Sequence, residues 1–268
     1  MSFIKKEILN IYPQLKDVVL VPSCYDYSQL RTKIGKTGAV YLDKLIKEKS
    51  GVKIGIGGGG TIYEVIDHLK RLPRNISIFP TSLVTRGPEI LHVDSRFLAE
   101  LFYFKSQPAA KGYSVSVPPL PNTKANADNY KDYLLNNFDE IKWIYSSMQE
   151  LDTMILGAGS ALPSGGFDNE MNKLDIPLAS FKERKIIGGI NYNWICEDDN
   201  DIDIPILTIT IEHLKEFSLK SEKNVILAAC GKHKQKIIKK IIKRSLVNIL
   251  ISDNDTAKYL IEDDNDFR

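Results

Sequence analysis

The sequence predicts an α/β fold: a Rossmann-like parallel sheet with helices on both faces. Three observations predict it. Short apolar runs alternate with amphipathic stretches along the chain, several of those runs lead straight into glycine-rich turns, and the length of 268 residues suits one such unit. Strands alternating with helices of this length build a parallel sheet covered on both sides. One domain spanning residues 1–268, with room for a small lobe, is the expectation.

Each element has its own signal. Val18-Val19-Leu20-Val21 reads as a short buried strand stopped by Pro22. From Ile34 to Lys49 the apolar positions Ala39, Leu42, Leu45 and Ile46 keep helical spacing, and Ser50-Gly51 ends the helix. Val52–Ile56 is a strand entering a glycine run, and Ile62, Val65, Ile66 and Leu69 mark the helix after it. A strand at Ile76–Phe79 and a helix around Glu89–Lys105 follow, then an extended stretch at Tyr113–Val117. Asn129–Ser147 reads as helix, and Thr153–Leu156 as a strand feeding a second glycine-rich loop. Gly165 to Pro205 is the least regular region, with an acidic, loop-like stretch at Glu197–Asp203. Val225–Ala229 and Val247–Ile251 are strands separated by the helix Lys234–Arg244, and Thr256–Glu262 is a last helical turn or two. The acidic tail at residues 262–268 is expected to fray.

Composition excludes several function classes. A hydrophobic fraction of 43% and a charged fraction of 26% are those of an ordinary globular protein. A net charge of +2 decides nothing about partners, though a dedicated nucleic-acid binder usually concentrates more basic charge than this. Cys24, Cys196 and Cys230 are far apart, odd in number and without nearby His pairs, so neither a disulfide framework nor a metal site is expected. No segment is long and apolar enough to span a bilayer, which predicts a soluble, cytoplasmic protein.

In such sheets ligands bind beyond the carboxyl ends of the strands, and the glycine turns fall there. The strongest is Gly57-Gly58-Gly59-Gly60-Thr61. Four consecutive glycines let an anion come close to backbone amides, and the helix they open turns its free N–H groups and positive dipole end toward a phosphate. Thr61-x-x-Glu64 also fits a capping box that would only fix the helix start. A dinucleotide fingerprint would need an acidic residue about 20 residues on, and the next strand ends Phe79-Pro80-Thr81-Ser82 without one. No cofactor is therefore expected. The second turn, Gly157-Ala158-Gly159-Ser160, suits either close ligand approach or a tight strand-to-helix turn. The third, Cys230-Gly231-Lys232-His233-Lys234, sets lysines at the start of a helix, the wrong end for the dipole, and so points to a bound anion. Arg86 could add a bidentate clamp. The candidate ligand residues are Gly57, Gly58, Gly59, Gly60, Thr61, Arg86, Gly157, Gly159, Ser160, Gly231 and Lys234. His68, His92 and His233 are given no catalytic role.

Taken in order, these pieces resemble the SorC-type sugar-binding effector domain of bacterial transcriptional regulators. The resemblance rests on Ile34-Gly35-x-x-Gly38-Ala39-x-Tyr41-Leu42, Gly55–Thr61, Asp152–Ser160, Ile187–Ile190, Ala228–Lys234 and Asn248–Ala257. It implies a fold shared with ribose-phosphate isomerases and aminosugar-phosphate deaminases. It also implies phosphate contacts from Gly60 and Thr61, ligand contact from Lys234, and dimers or tetramers that respond to effector. On this likeness residues 1–33 are the linker helix and first strand. Gly189 stands where many members carry an acid, Cys230 replaces a glycine, and no helix-turn-helix pattern precedes Ile34. The expectation is a non-enzymatic sensor of a small phosphorylated sugar or polyol phosphate, contacting DNA only through a helix-turn-helix absent from this chain. The alternative is an isomerase, deaminase or lactonase using a carboxylate such as Glu64 or Asp168. A third reading is a domain that serves only in assembly.

Overall fold

The computed structural model describes residues 3–83, 93–117, 124–161, 185–201 and 206–262. In chain order these form α1 (Phe3–Ile11), β1 (Asp17–Val21), α2 (Tyr27–Glu48), β2 (Val52–Ile56), α3 (Gly60–His68), β3 (Ile76–Pro80), α4 (Ser95–Ser106) and β4 (Lys111–Gly112). Then follow α5 (Lys124–Asn137), α6 (Asp139–Met148), β5 (Thr153–Leu156), β6 (Ala158–Ser160), β7 (Ile186–Ile190) and β8 (Asn193–Cys196). The last are α7 (Ile211–Ser218), β9 (Asn224–Ala228), α8 (Gln235–Lys243), β10 (Ile249–Asp253) and α9 (Asn254–Glu262).

Seven strands make one sheet in the order β1-β10-β9-β5-β2-β3-β4, every neighbouring pair parallel. Strand side chains alternate between two apolar layers. Met154 and Leu156 of β5 join the layer that holds α1, α6, α7, α8 and α9. Ile155 between them joins the layer under α2, α3 and α4. Burial on both faces explains why these strands read as unbroken apolar runs.

The strand order places the site. From β2 the chain winds outward through β3 to β4; from β5 it winds the other way through β9 and β10. The order reverses between the adjacent strands β2 and β5, and in open α/β sheets ligands bind outside the carboxyl ends of the strands at such a point.

Several sequence expectations change in the structure. Helix α2 starts at Tyr27, well before Ile34, because Asp26 caps it by accepting the Gln29 N–H at 2.8 Å. Its first turns are polar and lack the apolar rhythm that marks the rest. Asn129–Ser147 is two helices, α5 and α6, interrupted at Phe138. The extended stretch at Tyr113–Val117 continues from β4, with the Tyr113 N–H donating to the Ile78 carbonyl at 3.0 Å and the Val117 N–H to the Leu83 carbonyl at 3.1 Å. The second glycine turn is not a loop: Ala158–Ser160 is strand β6 of a three-stranded antiparallel sheet with β7 and β8. That hairpin lies in the stretch read as least regular. Its turn, Asn191-Tyr192, holds two consecutive residues at positive φ, +48° and +64°, as a tight hairpin turn requires. The Thr256–Glu262 helix begins earlier, at Asn254. Residues 263–268 of the tail lie outside the described residues.

Candidate functional site

The turn after β2 builds the centre of the site. The Gly57 N–H donates to the Ile155 carbonyl at 2.9 Å, stitching this turn to β5 across the switch point. A Cβ at Gly57 would fall 2.9 Å from Leu156 Cδ2 and 3.1 Å from the Ile155 oxygen, so the stitch requires glycine. Gly59 is the N-cap of α3 at φ +115° and, as glycine, offers no side chain to cap the helix. Its own N–H is spent on the Val93 carbonyl at 2.8 Å. Gly60, Thr61 and Ile62 occupy the first three helical positions, whose N–H groups have no intrahelical acceptor.

The capping-box reading of Thr61-x-x-Glu64 is therefore overturned. Thr61 lies inside the helix and is buried. The Glu64 carboxylate turns away to α2, where it accepts from Thr32 Oγ1 at 3.2 Å and from Arg31 Nη2 at 3.4 Å.

Helix α2 forms a wall beside this turn. A Cβ on Gly35 would meet the Glu64 Cβ at 2.4 Å, and one on Gly38 would meet Val65 Cγ2 at 2.7 Å. These two glycines let α2 and α3 cross almost backbone to backbone. One turn earlier on the same face is Arg31, whose Nη1 would sit 3.0 Å from a Cβ at Gly60. One turn earlier again is Tyr27, which lies 3.0 Å from the corresponding point at Gly231. A single helical stripe thus touches both glycine turns.

The turn after β9 supplies the opposite side. Gly231 has φ +96° and donates its N–H to Asp253 Oδ2 at 3.0 Å. Lys232–Lys234 is one 3-10 turn leading into α8, whose N-cap residue Lys234 makes no side-chain cap bond. Lys234 Nζ lies 5.9 Å from the Tyr27 ring centroid, and His233 meets that ring edge-on at 4.8 Å. Burial, with the Lys234 charge beside it, pushes the His233 pKa down. Burial pushes the Cys230 thiol up to about 12, while the Lys234 and Arg31 charges pull the other way. This is an inert, fully buried thiol. Cys196 is buried as well, and Cys24 is half-buried.

The turn after β5 closes the floor. A Cβ at Gly157 would lie 3.4 Å from the Gly58 carbonyl oxygen, so the first two glycine turns are in contact. Beyond it Gly159 pairs with Gly189 and Ser160 with Gly188. Strand β6 packs on the Lys232–Lys234 turn. The β7–β8 hairpin is pinned through buried Asn191, whose Nδ2 donates to the Thr81 carbonyl at 3.2 Å and to Thr208 Oγ1 at 3.0 Å.

The structure therefore brings Gly57, Gly58, Gly59, Gly60, Thr61, Gly157, Gly159, Ser160, Gly231 and Lys234 to one end of the sheet. Arg86 lies outside the described residues, as do His92 and Asp168. The amides of Gly57, Gly59 and Gly231 are already engaged, which leaves these residues to bend the chain. Arg31 and Tyr27 escaped the sequence reading. Their signal was present, though: positions 27, 31, 35 and 38 share one helical face with the two glycines of the crossing. Among the described residues no group of three or more His, Cys, Asp or Glu could hold a metal ion. No helix among them is long and apolar enough to cross a membrane.

Residues 6–262 match the Sugar-bind family model, which describes a sugar-binding domain. Solved structures match over nearly the whole chain. The full-length sorbitol operon regulator SorC from Klebsiella pneumoniae aligns with TM-score 0.79 and 18% identity, over 97% of this chain and 80% of that one. A DeoR family transcriptional regulator from Listeria monocytogenes aligns with TM-score 0.77 and 16% identity, over 96% of this chain and 98% of that one. A transcriptional regulator from Streptococcus pneumoniae TIGR4 gives TM-score 0.77 and 18% identity, over 98% and 97%. No curated protein sequence matches the chain.

Proposed function

The chain belongs to the Sugar-bind family of sugar-binding domains, and from that premise we propose that it is the effector-binding domain of a sugar-responsive transcriptional regulator. Its ligand is a small phosphorylated sugar or polyol phosphate. The whole chain acts as one cytoplasmic ligand-binding unit that forms dimers or tetramers. The ligand shifts their association by binding one state more tightly than the other. DNA contact belongs to a helix-turn-helix and not to this sheet.

One observation carries the reading. The start of α3 lies at the switch point with the Arg31 guanidinium against Gly60, so N–H groups without intrahelical acceptors, a positive dipole end and a cation meet there, and Lys234 stands by Tyr27, one turn earlier on the same face of α2. A doubly negative group is the complement of that arrangement. We assign the phosphate to the Gly58, Gly60 and Thr61 turn, with Lys234 and Arg86 as cationic contacts. Gly157, Gly159 and Ser160 flank the sugar, and Gly57, Gly59 and Gly231 shape the turns.

The isomerase or deaminase alternative needs a positioned acid or base. Glu64 is occupied by Thr32 and Arg31 of the neighbouring helix, which favours sensing over turnover. A thermal-shift panel of sugar phosphates and the matching free sugars tests the proposal. At a hundredfold excess over Kd a ligand adds about 2.7 kcal/mol, so a true effector raises Tm by several degrees and its free sugar does not. No shift with any member of the panel defeats the reading. Steady turnover of a pentose or hexosamine phosphate, lost in Glu64→Gln, would reverse it in favour of an enzyme.

A further inference from the structure

We infer that Arg31, at the start of α2, is the residue that makes this site demand an anion. Its guanidinium spans the first turn of α3 and closes on the bound phosphate. The inference rests on the proposed phosphate site and adds to it a contact from a helix that none of the glycine motifs includes.

Four features lead to it. First, the guanidinium lies against Gly60, the first residue of α3, with Nη1 3.0 Å from where a Cβ would be. A cation at a helix N-terminus sits at the repulsive end of the dipole. It is a costly place for an arginine unless an anion comes between them. Second, Arg31 Nε is buried and, among the described residues, has no hydrogen-bond partner. A buried donor without an acceptor carries a desolvation cost that a ligand oxygen would remove. Third, its one ion pair among the described residues is weak: Nη2 reaches Glu64 Oε1 at 3.4 Å, with the Arg31 side chain 34% exposed. Close pairs of this kind run at about 2.7–2.9 Å, so Glu64 restrains the guanidinium without satisfying it. Fourth, Gly35 and Gly38 remove the side chains that would hold α2 away from α3. The crossing delivers Arg31 to this spot and nowhere else.

The same stripe continues to Tyr27, against Gly231 and beneath Lys234. An anion held at α3 would thus have Lys234 as a second cation, one turn further along the stripe. In this arrangement Glu64 competes with the ligand: it holds the guanidinium in place while no anion is bound and yields it when one arrives. Arg31 is then a binding residue and Glu64 a positioning residue.

Isothermal titration of the whole chain with inorganic phosphate, sulfate and glucose 6-phosphate tests this against four variants. Arg31→Gln should weaken binding of all three about tenfold or more, and should flatten the dependence of affinity on salt. Arg31→Lys should fall between, since it keeps the charge and loses the planar fork. Glu64→Gln should tighten binding a few-fold, because the competing carboxylate is gone. Lys44→Gln, exposed on the same helix and paired among the described residues only with Glu48 at 3.9 Å, should stay within twofold of the unmodified chain. Binding by Arg31→Gln within twofold of the unmodified chain overturns the assignment while leaving the phosphate site intact. So does Glu64→Gln losing affinity as severely as Arg31→Gln, with a matching drop in Tm, for the pair would then be structural. An unmodified chain that binds none of the three anions removes the site, and Arg31's role with it.

Discussion

The turns after β2 and β5 lie in contact at the switch point, and both are rich in glycine, yet their backbones end differently. After β2, glycine opens a helix and leaves the amides of Gly60, Thr61 and Ile62 without helical acceptors. After β5, glycine continues as strand β6, where Gly159 and Ser160 pair with Gly189 and Gly188. One turn is built to offer hydrogen bonds outward; the other has committed them to a hairpin. Glycine content alone therefore says that a backbone comes close to something. What it comes close to depends on whether the next element is a helix or a strand.

The largest expected effect breaks the second turn. Gly188 has φ +155°, and a Cβ there would lie 2.3 Å from the Gly159 carbonyl oxygen and 2.9 Å from Ile237 Cγ1. Gly188→Ala should cost about 3 kcal/mol or more in denaturant unfolding, since backbone on both sides must move. A loss below about 1 kcal/mol would mean β6 and β7 are not closely paired. Next comes Gly59→Ala. No described residue lies within reach of a Cβ there, but φ +115° is strained for any side chain. It should cost about 1–3 kcal/mol by backbone conformation alone and should weaken phosphate binding by tilting the start of α3.

Gly60→Ala separates stability from function. The position is helical, where alanine gains about 1 kcal/mol over glycine, and among the described residues the only close neighbour is the end of the flexible Arg31 side chain. Tm should hold or rise while phosphate affinity falls several-fold. Equal affinity would show that the first turn does not contact the anion.

The smallest effect is a pH dependence. Burial and the neighbouring Lys234 lower the His233 pKa, and burial lowers that of His213. A histidine with a depressed folded pKa contributes stability that is fully present above its unfolded value near 6.5 and is lost as pH falls through the folded value. Stability should therefore decline below about pH 6.5. His233→Gln should make that decline shallower in melts from pH 7.5 to 5, and an unchanged slope would remove His233 from the account.

Much of the fold was legible for a physical reason. Parallel strands buried on both faces must be apolar throughout, so Val52–Ile56, Thr153–Leu156 and Asn224–Ala228 stand out from their surroundings. Ala158-Gly159-Ser160 has no apolar residue larger than alanine, so nothing in its composition announces a strand. The hairpin at Ile186–Cys196 contains two glycines and a turn set by Asn191, a pattern that reads as loop. In the site, the glycines could be read from local chain geometry. Arg31 could not, because its place depends on how closely α2 and α3 cross, a tertiary fact. Even so, the glycines that set the crossing, Gly35 and Gly38, were visible in the sequence from the outset.

The most direct test follows backbone amides of the whole 15N-labelled chain through a titration with glucose 6-phosphate and, in parallel, glucose. The account predicts that the phosphate ester gives its largest shifts at Gly58, Gly60, Thr61 and Ile62, with smaller ones at Gly159 and Ser160, whose amides belong to a strand pair. Shifts centred on β6 with the start of α3 silent, or equal responses to ester and free sugar, would contradict it.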